Sequence, residues 1–441
     1  MHNALNNFKL GLTPTYFPIF AKNLQMLKRE EIEVMAPAGN FESLMAAIQG
    51  GANSVYFGVG NLNMRAKSSI NFTVDDLPEV VRICKKHNVK TYLTVNTVIY
   101  DTDIPYMREI IDTAANVGVS ALIISDQAAM LYARQKGMEV HISTQLNISN
   151  TEALRFYSQW ADVVVLAREL NLDQVKTIYQ NINSQNITGP SGNPIKIELF
   201  AHGALCMAIS GKCYLSLHEA NSSANRGACI QICRRSYTVT DNETGAQLEI
   251  DNEYIMSPKD LCTINFLDKI IDAGVRVLKI EGRARGPEYV KTVTQCYNEA
   301  VTSVCKGTYT PERVDNWMQR LSTVFNRGFW DGYYLGRRLG EWSKAYGNIA
   351  TERKQYVGKI TNYFSKLGVA EITVEASELY LNDKILIIGP TTGVIEYEVK
   401  ELQVDEKPAE FSPKGVKCSI PVPEKVRRAD KLYRIVKMNS D

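Results

Sequence analysis

Residues 33–58 read EVMAPAGNFESLMAAIQGGANSVYFG and contain one complete unit of the predicted fold. Two short apolar runs, EVMAP and SVYFG, flank the segment FESLMAAIQGG, in which apolar residues recur three and four positions apart. That spacing is typical of an amphipathic helix, and the flanking runs are typical of buried strands. Asn40 stands where an N-terminal helix cap is expected. The stretch therefore predicts a strand, a helix and a second strand.

The same alternation continues to about residue 282. The segments DDLPEVVRICKKHN and DIPYMREIIDTAANVG have helical spacing and separate further apolar runs. Eight strands alternating with helices predict an α/β fold of the TIM-like (β/α)8 barrel type, and a doubly wound open sheet is the alternative. The predicted strands are EVMAP (33–37), SVYFG (54–58), KTYLTVN (90–96), ALIIS (121–125), EVHIS (139–143), DVVVLAR (162–168), IELFAHG (197–203) and RVLKIEG (276–282).

The chain divides into four predicted regions. The barrel forms the catalytic domain at 32–307 and carries a Cys-rich insertion at 203–262, which is longer than a usual βα loop. Alternating apolar residues near the end predict a small C-terminal β-barrel domain at 356–441. The two other regions are an N-terminal extension, 1–31, and a helical and basic-aromatic linker, 308–355.

Composition and charge narrow the class of protein. A chain of 441 residues with 45% hydrophobic content is typical of a globular protein of several domains. A formal charge of +2 gives no general attraction to nucleic acid, so any RNA contact must come from a local patch. The sequence has no apolar run of 18 residues and its start lacks the pattern of a signal peptide. These features predict a cytoplasmic protein without a membrane partner, in which thiols stay reduced.

The insertion concentrates the cysteines. Four of the nine cysteines, Cys206, Cys213, Cys229 and Cys233, lie within 28 residues, and Cys262 follows them. Thiolates are soft, strongly donating metal ligands, and this spacing differs from the short knuckles of zinc fingers. The residues favour an iron–sulfur cluster. A structural zinc site, disulfides and buried thiols that only fill space are the alternatives.

Two arginines stand where a barrel enzyme collects its catalytic groups, at the junction of a strand and the following loop. Arg168 and Arg283 each follow a predicted strand, and each can hold a carboxylate through two parallel hydrogen bonds. A salt bridge to Glu169 or Glu281 is the alternative role for these arginines.

Other strand ends supply further candidates. His202 ends the seventh predicted strand and can transfer a proton, with a hydrogen-bonded structural role as the alternative. Glu281 ends the eighth strand and is the second candidate proton-transfer group. Asn96 and Gln145 also follow strands and are candidate substrate-binding residues. Predicted RNA contacts, in which basic residues alternate with aromatic ones, are Arg337, Arg338, Trp342, Lys344, Tyr346, Lys425, Arg427 and Arg428.

The segment at 198–216 fits the pattern ExFxxGALCxxxxGxCxLS and resembles the signature of the collagenase-like peptidase family U-32, whose catalytic type is unassigned. The segments APAGNFESLMAAIQGGANSVYFG, HISTQLN, SPKDLC and LKIEGRARGPEY extend the resemblance from about Glu33 to the end of the chain. Members of this family include RNA hydroxylases that work without oxygen gas. The resemblance implies a 4Fe-4S cluster held by Cys206, Cys213, Cys229 and Cys262, with Cys233 as the alternative fourth ligand.

The same resemblance implies a function. Members of this length hydroxylate tRNA to form 5-hydroxyuridine at the wobble position and depend on prephenate, a dicarboxylate that Arg168 and Arg283 would hold. Partners would be tRNA, prephenate and an electron donor or partner protein. A peptidase of the same family is the first alternative, and a non-catalytic, zinc-stabilised RNA-binding protein is the second.

Overall fold

A computed structural model of the chain describes residues 27–238, 240, 242–245, 256–336, 341–343 and 347–438. The predicted N-terminal extension up to residue 26 lies outside the described residues. So do four of the predicted RNA contacts, Arg337, Arg338, Lys344 and Tyr346.

The first and larger sheet is a closed barrel. Its strands are β1 (Glu33–Pro37), β2 (Ser54–Gly58), β3 (Lys90–Val95), β4 (Ala121–Ile124), β5 (Glu139–Ile142), β6 (Val163–Val165), β7 (Lys196–Gly203), β8 (Asp260–Cys262), β9 (Val275–Ile280) and β10 (Phe329–Trp330). Strands β1 to β7 pair in sequence order and in parallel, and β9 pairs in parallel with both β7 and β1. Lys279 is in register with Met35 on one side and with Phe200 on the other. The predicted (β/α)8 barrel is therefore confirmed, and the open sheet is excluded.

Helices cover the outside of this barrel. They are α1 (Phe41–Gln49), α2 (Leu77–Lys86), α3 (Ile104–Val117), α4 (Gln127–Gln135), α5 (Thr151–Ser158), α6 (Leu172–Ser184), α7 (Leu215–Ala220), α8 (Leu267–Asp272), α9 (Pro287–Cys305) and α10 (Pro311–Thr323). Asn40 caps α1 as predicted, because its Oδ1 accepts a hydrogen bond of 2.8 Å from the Ser43 amide. Helix α3 ends at Gly118, whose φ of 80° is a conformation that glycine adopts without strain. No helix within the described ranges is both long and apolar enough to cross a membrane.

The Cys-rich insertion follows β7 at the carboxyl end of the barrel. Strand β8 returns antiparallel to the end of β7, with His202 opposite Cys262, and β10 extends this edge in parallel with β8. Strand β8 therefore lies beside the barrel and is not one of its eight strands. The chain between β7 and β9 passes over one end of the barrel before β9 closes the sheet.

The C-terminal region forms an antiparallel β domain. Its strands are β11 (Glu352–Phe364), β12 (Val369–Val374), β13 (Leu379–Tyr380), β14 (Lys384–Gly389), β15 (Gly393–Glu398), β16 (Gln403–Val404), β17 (Lys407–Pro408), β18 (Phe411–Ser412), β19 (Lys417–Pro421) and β20 (Lys431–Lys437). Eight of them form one sheet around a single apolar core. The domain packs on the barrel, because Gln49 of α1 exchanges hydrogen bonds with the backbone of Thr392 and Val394 at 3.0 and 2.8 Å.

A buried ion pair joins the strands that close the barrel. Lys279 of β9 lies 2.8 Å from Glu198 of β7, and the two residues are 5% and 0% exposed. The Lys279 ammonium also lies 4.6 Å from the centre of the Tyr56 ring. Removal of one partner of a buried pair leaves the other charge without compensation, which costs about 3–5 kcal/mol.

We predict that Lys279→Met lowers the free energy of unfolding by about 3–5 kcal/mol, because the Glu198 carboxylate then stays buried without its cation. The matched control is Lys400→Met, since Lys400 pairs with Glu398 at 2.6 Å on the surface, and a loss of less than about 1 kcal/mol is expected there. Urea unfolding followed by circular dichroism measures both values. Equal losses in the two variants would show that the buried Lys279–Glu198 pair contributes no more to the free energy of unfolding than a surface pair does.

Candidate active site

A cavity of about 200 Å³ opens at the carboxyl ends of the barrel strands. Loops after β2, β3, β5, β6 and β9 form one side of it, and the insertion after β7 forms the other. Five of the side chains predicted for catalysis or substrate binding line this cavity: Asn96, Gln145, Arg168, Glu281 and Arg283.

Four thiols lie together on the insertion side of the cavity. Cys206, Cys213, Cys229 and Cys233 all line it, although they come from separate turns of the insertion. Burial raises the pKa of the Cys233 thiol to about 11, and the other three thiols add to the rise, while Arg234 opposes it. Cys233 therefore lies within electrostatic range of Cys206, Cys213 and Cys229.

Glycines allow the insertion to approach the barrel loops closely. Gly211 and Gly227 both have φ of 74°, a conformation that side chains other than glycine rarely adopt. A Cβ atom at Gly211 would lie 2.5 Å from the Gln145 Oε1 atom, and one at Gly227 would lie 2.1 Å from the Asn63 carbonyl oxygen. The backbone around the thiols can pack on the barrel only because these positions lack side chains.

The structure does not bring Cys262 to the four thiols. Cys262 lies in β8, is 3% exposed and is absent from the described cavity lining. Its sulfur lies 3.8 Å from the Met318 sulfur and 4.0 Å from the Tyr297 hydroxyl. Pairing of β8 with β7 directs this side chain into the core. Of the expected fourth ligand, Cys262, and its alternative, Cys233, the structure places Cys233 with Cys206, Cys213 and Cys229 along the cavity.

The cavity wall carries a strong excess of positive charge. Glu281 is the single carboxylate among the described lining residues, while the cations are Arg65, Arg168, Arg234, Lys279, Arg283 and Arg285. Arg65, which the sequence analysis missed, forms a salt bridge to Glu281 at 2.7 Å. Arg65 lies seven residues beyond the end of β2, so proximity to a strand end did not reveal it.

Arg168 and Arg283 keep donors available to the cavity. The guanidinium of Arg168 lies 3.8 Å from the centre of the Phe200 ring, and that of Arg283 donates to Asn63 and Thr94 at 3.0 Å each. The Nε–H groups of both arginines are buried and donate to no acceptor among the described residues. Burial lowers the pKa of Arg283. The alternative role, in which Arg283 pairs with Glu281, is filled instead by Arg65.

Asn96 and Gln145 differ in whether other residues of the protein form hydrogen bonds with their side-chain amides. The Asn96 Oδ1 atom accepts from the Met64 amide at 3.2 Å, and its Nδ2 atom donates to Ser143 at 3.2 Å. Gln145 Oε1 is buried without a hydrogen-bond partner within the described part of the chain. Gln145 therefore offers an acceptor to a ligand, whereas Asn96 holds the loops in place.

Glu281 is a fixed carboxylate. Burial alone would raise its pKa, but the charges of Arg65, Arg283 and Arg168 outweigh burial and lower the pKa to about 2. The Tyr56 hydroxyl donates a further hydrogen bond of 3.1 Å to Glu281 Oε2. At neutral pH Glu281 is ionised and has no proton to donate, and the two hydrogen bonds that it accepts from Arg65 fix the orientation of that guanidinium.

His202 lies outside the cavity. Its side chain is 1% exposed and packs against the rings of Tyr289, Tyr297 and Phe329. The His202 Nδ1 atom lies 3.4 Å from the Tyr297 hydroxyl. Burial lowers the pKa of His202 to about 3, so the imidazole is neutral. The structure therefore supports the structural alternative for His202 and not the proton-transfer role.

The predicted RNA contacts within the described ranges do not line the cavity either. They are Trp342, Lys425, Arg427 and Arg428.

Comparison with known proteins gives the family. Residues 39–344 match the sequence model of peptidase family U32. The chain belongs to this family. Among its relatives, a collagenase of Porphyromonas gingivalis is 63% identical over 407 residues, which cover 92% of this U32 chain and 98% of that protein.

Two further relatives of the U32 chain carry names from RNA modification. The tRNA hydroxylation protein P1 of Bacillus subtilis is 32% identical over 367 residues, covering 81% of this chain and 83% of that protein. A 23S rRNA 5-hydroxycytidine synthase of Escherichia coli is 32% identical over 317 residues, covering 70% of this chain and 46% of that protein. By these names, members of the family include enzymes that hydroxylate RNA as well as peptidases.

The charge of Glu281 predicts a pH dependence in this U32 protein. Because the folded-state pKa lies below the ordinary value of 4.5, the ionised carboxylate stabilises the fold above about pH 4.5 by about 3 kcal/mol, and this contribution disappears as the pH falls toward 2. Glu281→Gln should therefore be less stable than the wild type at pH 7, and the difference should shrink between pH 4.5 and pH 2.

Urea unfolding of metal-free protein at a series of pH values measures this difference. Glu398→Gln is the control, since Glu398 pairs with Lys400 on the surface and should show a small effect at every pH. A stability difference between Glu281→Gln and the wild type that does not change with pH would contradict the assignment of Glu281 as a strongly stabilised carboxylate.

Proposed function

We propose that this protein is an oxygen-independent RNA hydroxylase that forms 5-hydroxyuridine at the wobble position of tRNA, with prephenate as the hydroxyl donor. The observation that carries the proposal is the composition of the cavity, in which four thiols line one side and arginines with free donors line the other. The names of the Bacillus subtilis and Escherichia coli relatives support RNA hydroxylation as the class of reaction.

The four thiols fit the ligand set of a 4Fe-4S cluster. Four Cys thiolates are the usual ligand set of such a cluster, and zinc can take the same four. Among the residues that the structure describes, no three His, Cys, Asp or Glu side chains are arranged to hold one metal ion. Cys206, Cys213, Cys229 and Cys233 would hold the cluster, and when bound it would supply iron chemistry beside the cavity.

The cationic side of the cavity fits a small dicarboxylate. Arg168 and Arg283 have buried Nε donors without partners, and a carboxylate would satisfy each of them. Arg65 adds a third guanidinium, which Glu281 holds in one orientation through two hydrogen bonds of 2.7 and 3.1 Å. Gln145 Oε1 can accept a hydrogen bond from a hydroxyl of the donor molecule. Prephenate has two carboxylates and one hydroxyl, so its groups match these partners.

The second candidate function is peptidase activity, because a relative that is 63% identical is named a collagenase. A thiol peptidase needs a histidine next to its cysteine. The described lining of the cavity contains no histidine, and His202 is buried against aromatic rings with a pKa near 3. The geometry therefore favours hydroxylation over peptide cleavage.

The cysteine assignment predicts unequal effects of two serine variants. In anaerobically purified protein, Cys233→Ser should lose most of its iron and labile sulfide, because one of four cluster ligands is removed. Cys262→Ser is the matched control and should keep the wild-type iron and sulfide content, since Cys262 packs in the core. Iron retained by Cys233→Ser but lost from Cys262→Ser would restore Cys262 as the fourth ligand. Wild-type protein without iron and sulfide would contradict the cluster.

Nucleoside mass spectrometry tests the reaction. Deletion of the gene should remove hydroxylated uridine from tRNA, and the wild-type gene should restore it. Arg168→Met should reduce the rate of hydroxylation about 10- to 100-fold at limiting prephenate, because a charge-assisted contact to the donor is lost. Loss of a hydroxylated nucleoside from ribosomal RNA instead would redirect the proposal to that RNA. Unchanged RNA together with cleavage of gelatin by iron-free protein would favour the peptidase.

A further inference from the structure

The insertion exposes a cluster of apolar side chains around the four thiols. We define the rim patch as Met207, Ile209, Tyr214, Leu215 and Ile230, whose exposed fractions are 43%, 53%, 72%, 37% and 42%. Met207, Tyr214 and Ile230 directly follow Cys206, Cys213 and Cys229 in the chain. Met207 and Leu215 also line the cavity, so the patch is continuous with the cavity mouth. Grouped apolar surface of this kind marks an interaction site.

Hydrogen bonds hold the backbone that carries the rim patch. The Tyr214 carbonyl accepts from the His218 amide at 2.8 Å, which starts helix α7 at this point, and the Ile209 carbonyl accepts from the Lys212 amide at 3.0 Å. The buried Ser216 hydroxyl accepts from the Ile230 amide at 3.2 Å and lies 3.9 Å from the Cys229 sulfur. The Tyr214 ring is therefore presented to solvent from a fixed position beside the thiols.

The charge of the surrounding surface is positive. Residues 204–238 include four basic side chains, Lys212, Arg226, Arg234 and Arg235, but a single acidic one, Glu219. Arg226 and Arg234 hold the insertion in place, through Asp103 at 3.1 Å and the Leu205 carbonyl at 2.7 Å. Lys212 and Arg235 are exposed, and the exposed Lys67 is adjacent, because its amide donates to the Gly227 carbonyl at 3.2 Å.

These features together fit a nucleic acid strand with unpaired bases. An exposed aromatic ring flanked by cations binds such a strand by stacking on a base while the cations pair with phosphates. Met207 and Leu215 belong to both the rim patch and the cavity wall, so a base bound at the patch would lie beside the cavity mouth. A base in a duplex could not enter, because its faces are already stacked.

We infer that the rim patch docks an unpaired nucleotide of the RNA substrate, with Tyr214 stacked on a base and Lys212 and Arg235 paired with phosphates. This inference rests on the proposed function, since it names the surface by which the RNA reaches the same cavity. The docking surface belongs to the insertion itself, so binding of the RNA and the chemistry at the thiols share one structural element.

Binding of an anticodon stem-loop RNA with an unmodified wobble uridine tests the inference. Fluorescence anisotropy with anaerobically purified, iron-loaded protein gives the affinity. Tyr214→Ala should weaken binding about 10-fold or more, because a stacking contact is lost, whereas Tyr214→Phe should bind within about twofold of the wild type. Phe156→Ala is the matched control, since Phe156 is 57% exposed on the outer helix α5, and it should bind as the wild type does.

The salt dependence of RNA binding and competition by duplex RNA give two independent readouts. Replacing both Lys212 and Arg235 by Gln should reduce the slope of log affinity against log salt by about 1.4, because two phosphate contacts are lost. A duplex RNA of equal length should compete poorly. Iron content and prephenate binding should stay at wild-type values in Tyr214→Ala, which shows that the variant is folded.

Three results would overturn the inference: wild-type affinity in Tyr214→Ala, an equal loss in Phe156→Ala, or equal competition by duplex RNA. Wild-type RNA affinity in Tyr214→Ala, combined with slower reduction by an added electron-carrier protein, would assign the patch to that protein instead. Binding is measured without turnover. Tyr214-dependent binding by a protein that hydroxylates no RNA would therefore contradict the proposed function while it supports the docking surface.

Discussion

The parallel pairing of β9 with both β1 and β7 is the constraint on which the rest of the structure depends. Val277, Leu278 and Lys279 take part in both pairings, and the ion pair of Lys279 with Glu198 joins β9 to β7 at 2.8 Å inside the barrel. The chain between β7 and β9 contains the whole insertion. When the seam closes, the insertion must fold back over the carboxyl end of the barrel, and its thiols come to face the residues that follow β9.

The site that results has an asymmetric charge distribution. Glu281 engages Arg65 and the Tyr56 hydroxyl, and this leaves Arg168 and Arg283 with donors that nothing in the described structure satisfies. A buried N–H donor without an acceptor is costly, so these two Nε–H groups favour a ligand that accepts hydrogen bonds from them. The low pKa of Glu281 has the same origin, since three guanidinium groups surround one carboxylate. Electrostatics therefore supports an anionic small molecule on this side of the cavity.

The names of the relatives point to two chemistries, and the geometry separates them. A peptidase mechanism would need a basic group close to a nucleophilic thiol, but the described lining of the cavity contains no histidine, and His202 is enclosed by aromatic rings. The thiols instead face arginines and an apolar rim. That combination suits a small anion on one side of the cavity and an unpaired base on the other, which are the two reactants of RNA hydroxylation by a dicarboxylate donor.

The sequence by itself determined the elements whose signals are local. Apolar periodicity identified all eight barrel strands, a side-chain cap identified the start of α1, and cysteine density identified the insertion. Strand ends also revealed Asn96, Gln145, Arg168, Glu281 and Arg283, because parallel strands end on the same face of a barrel. Local spacing cannot show how distant segments pair, and the tertiary structure alone decided three features. Antiparallel pairing of β8 with β7 buries Cys262 and leaves Cys233 with the other thiols, packing of α9 and β10 encloses His202, and a long loop after β2 brings Arg65 to Glu281. Each depends on a contact between residues far apart in the chain, which no local pattern encodes.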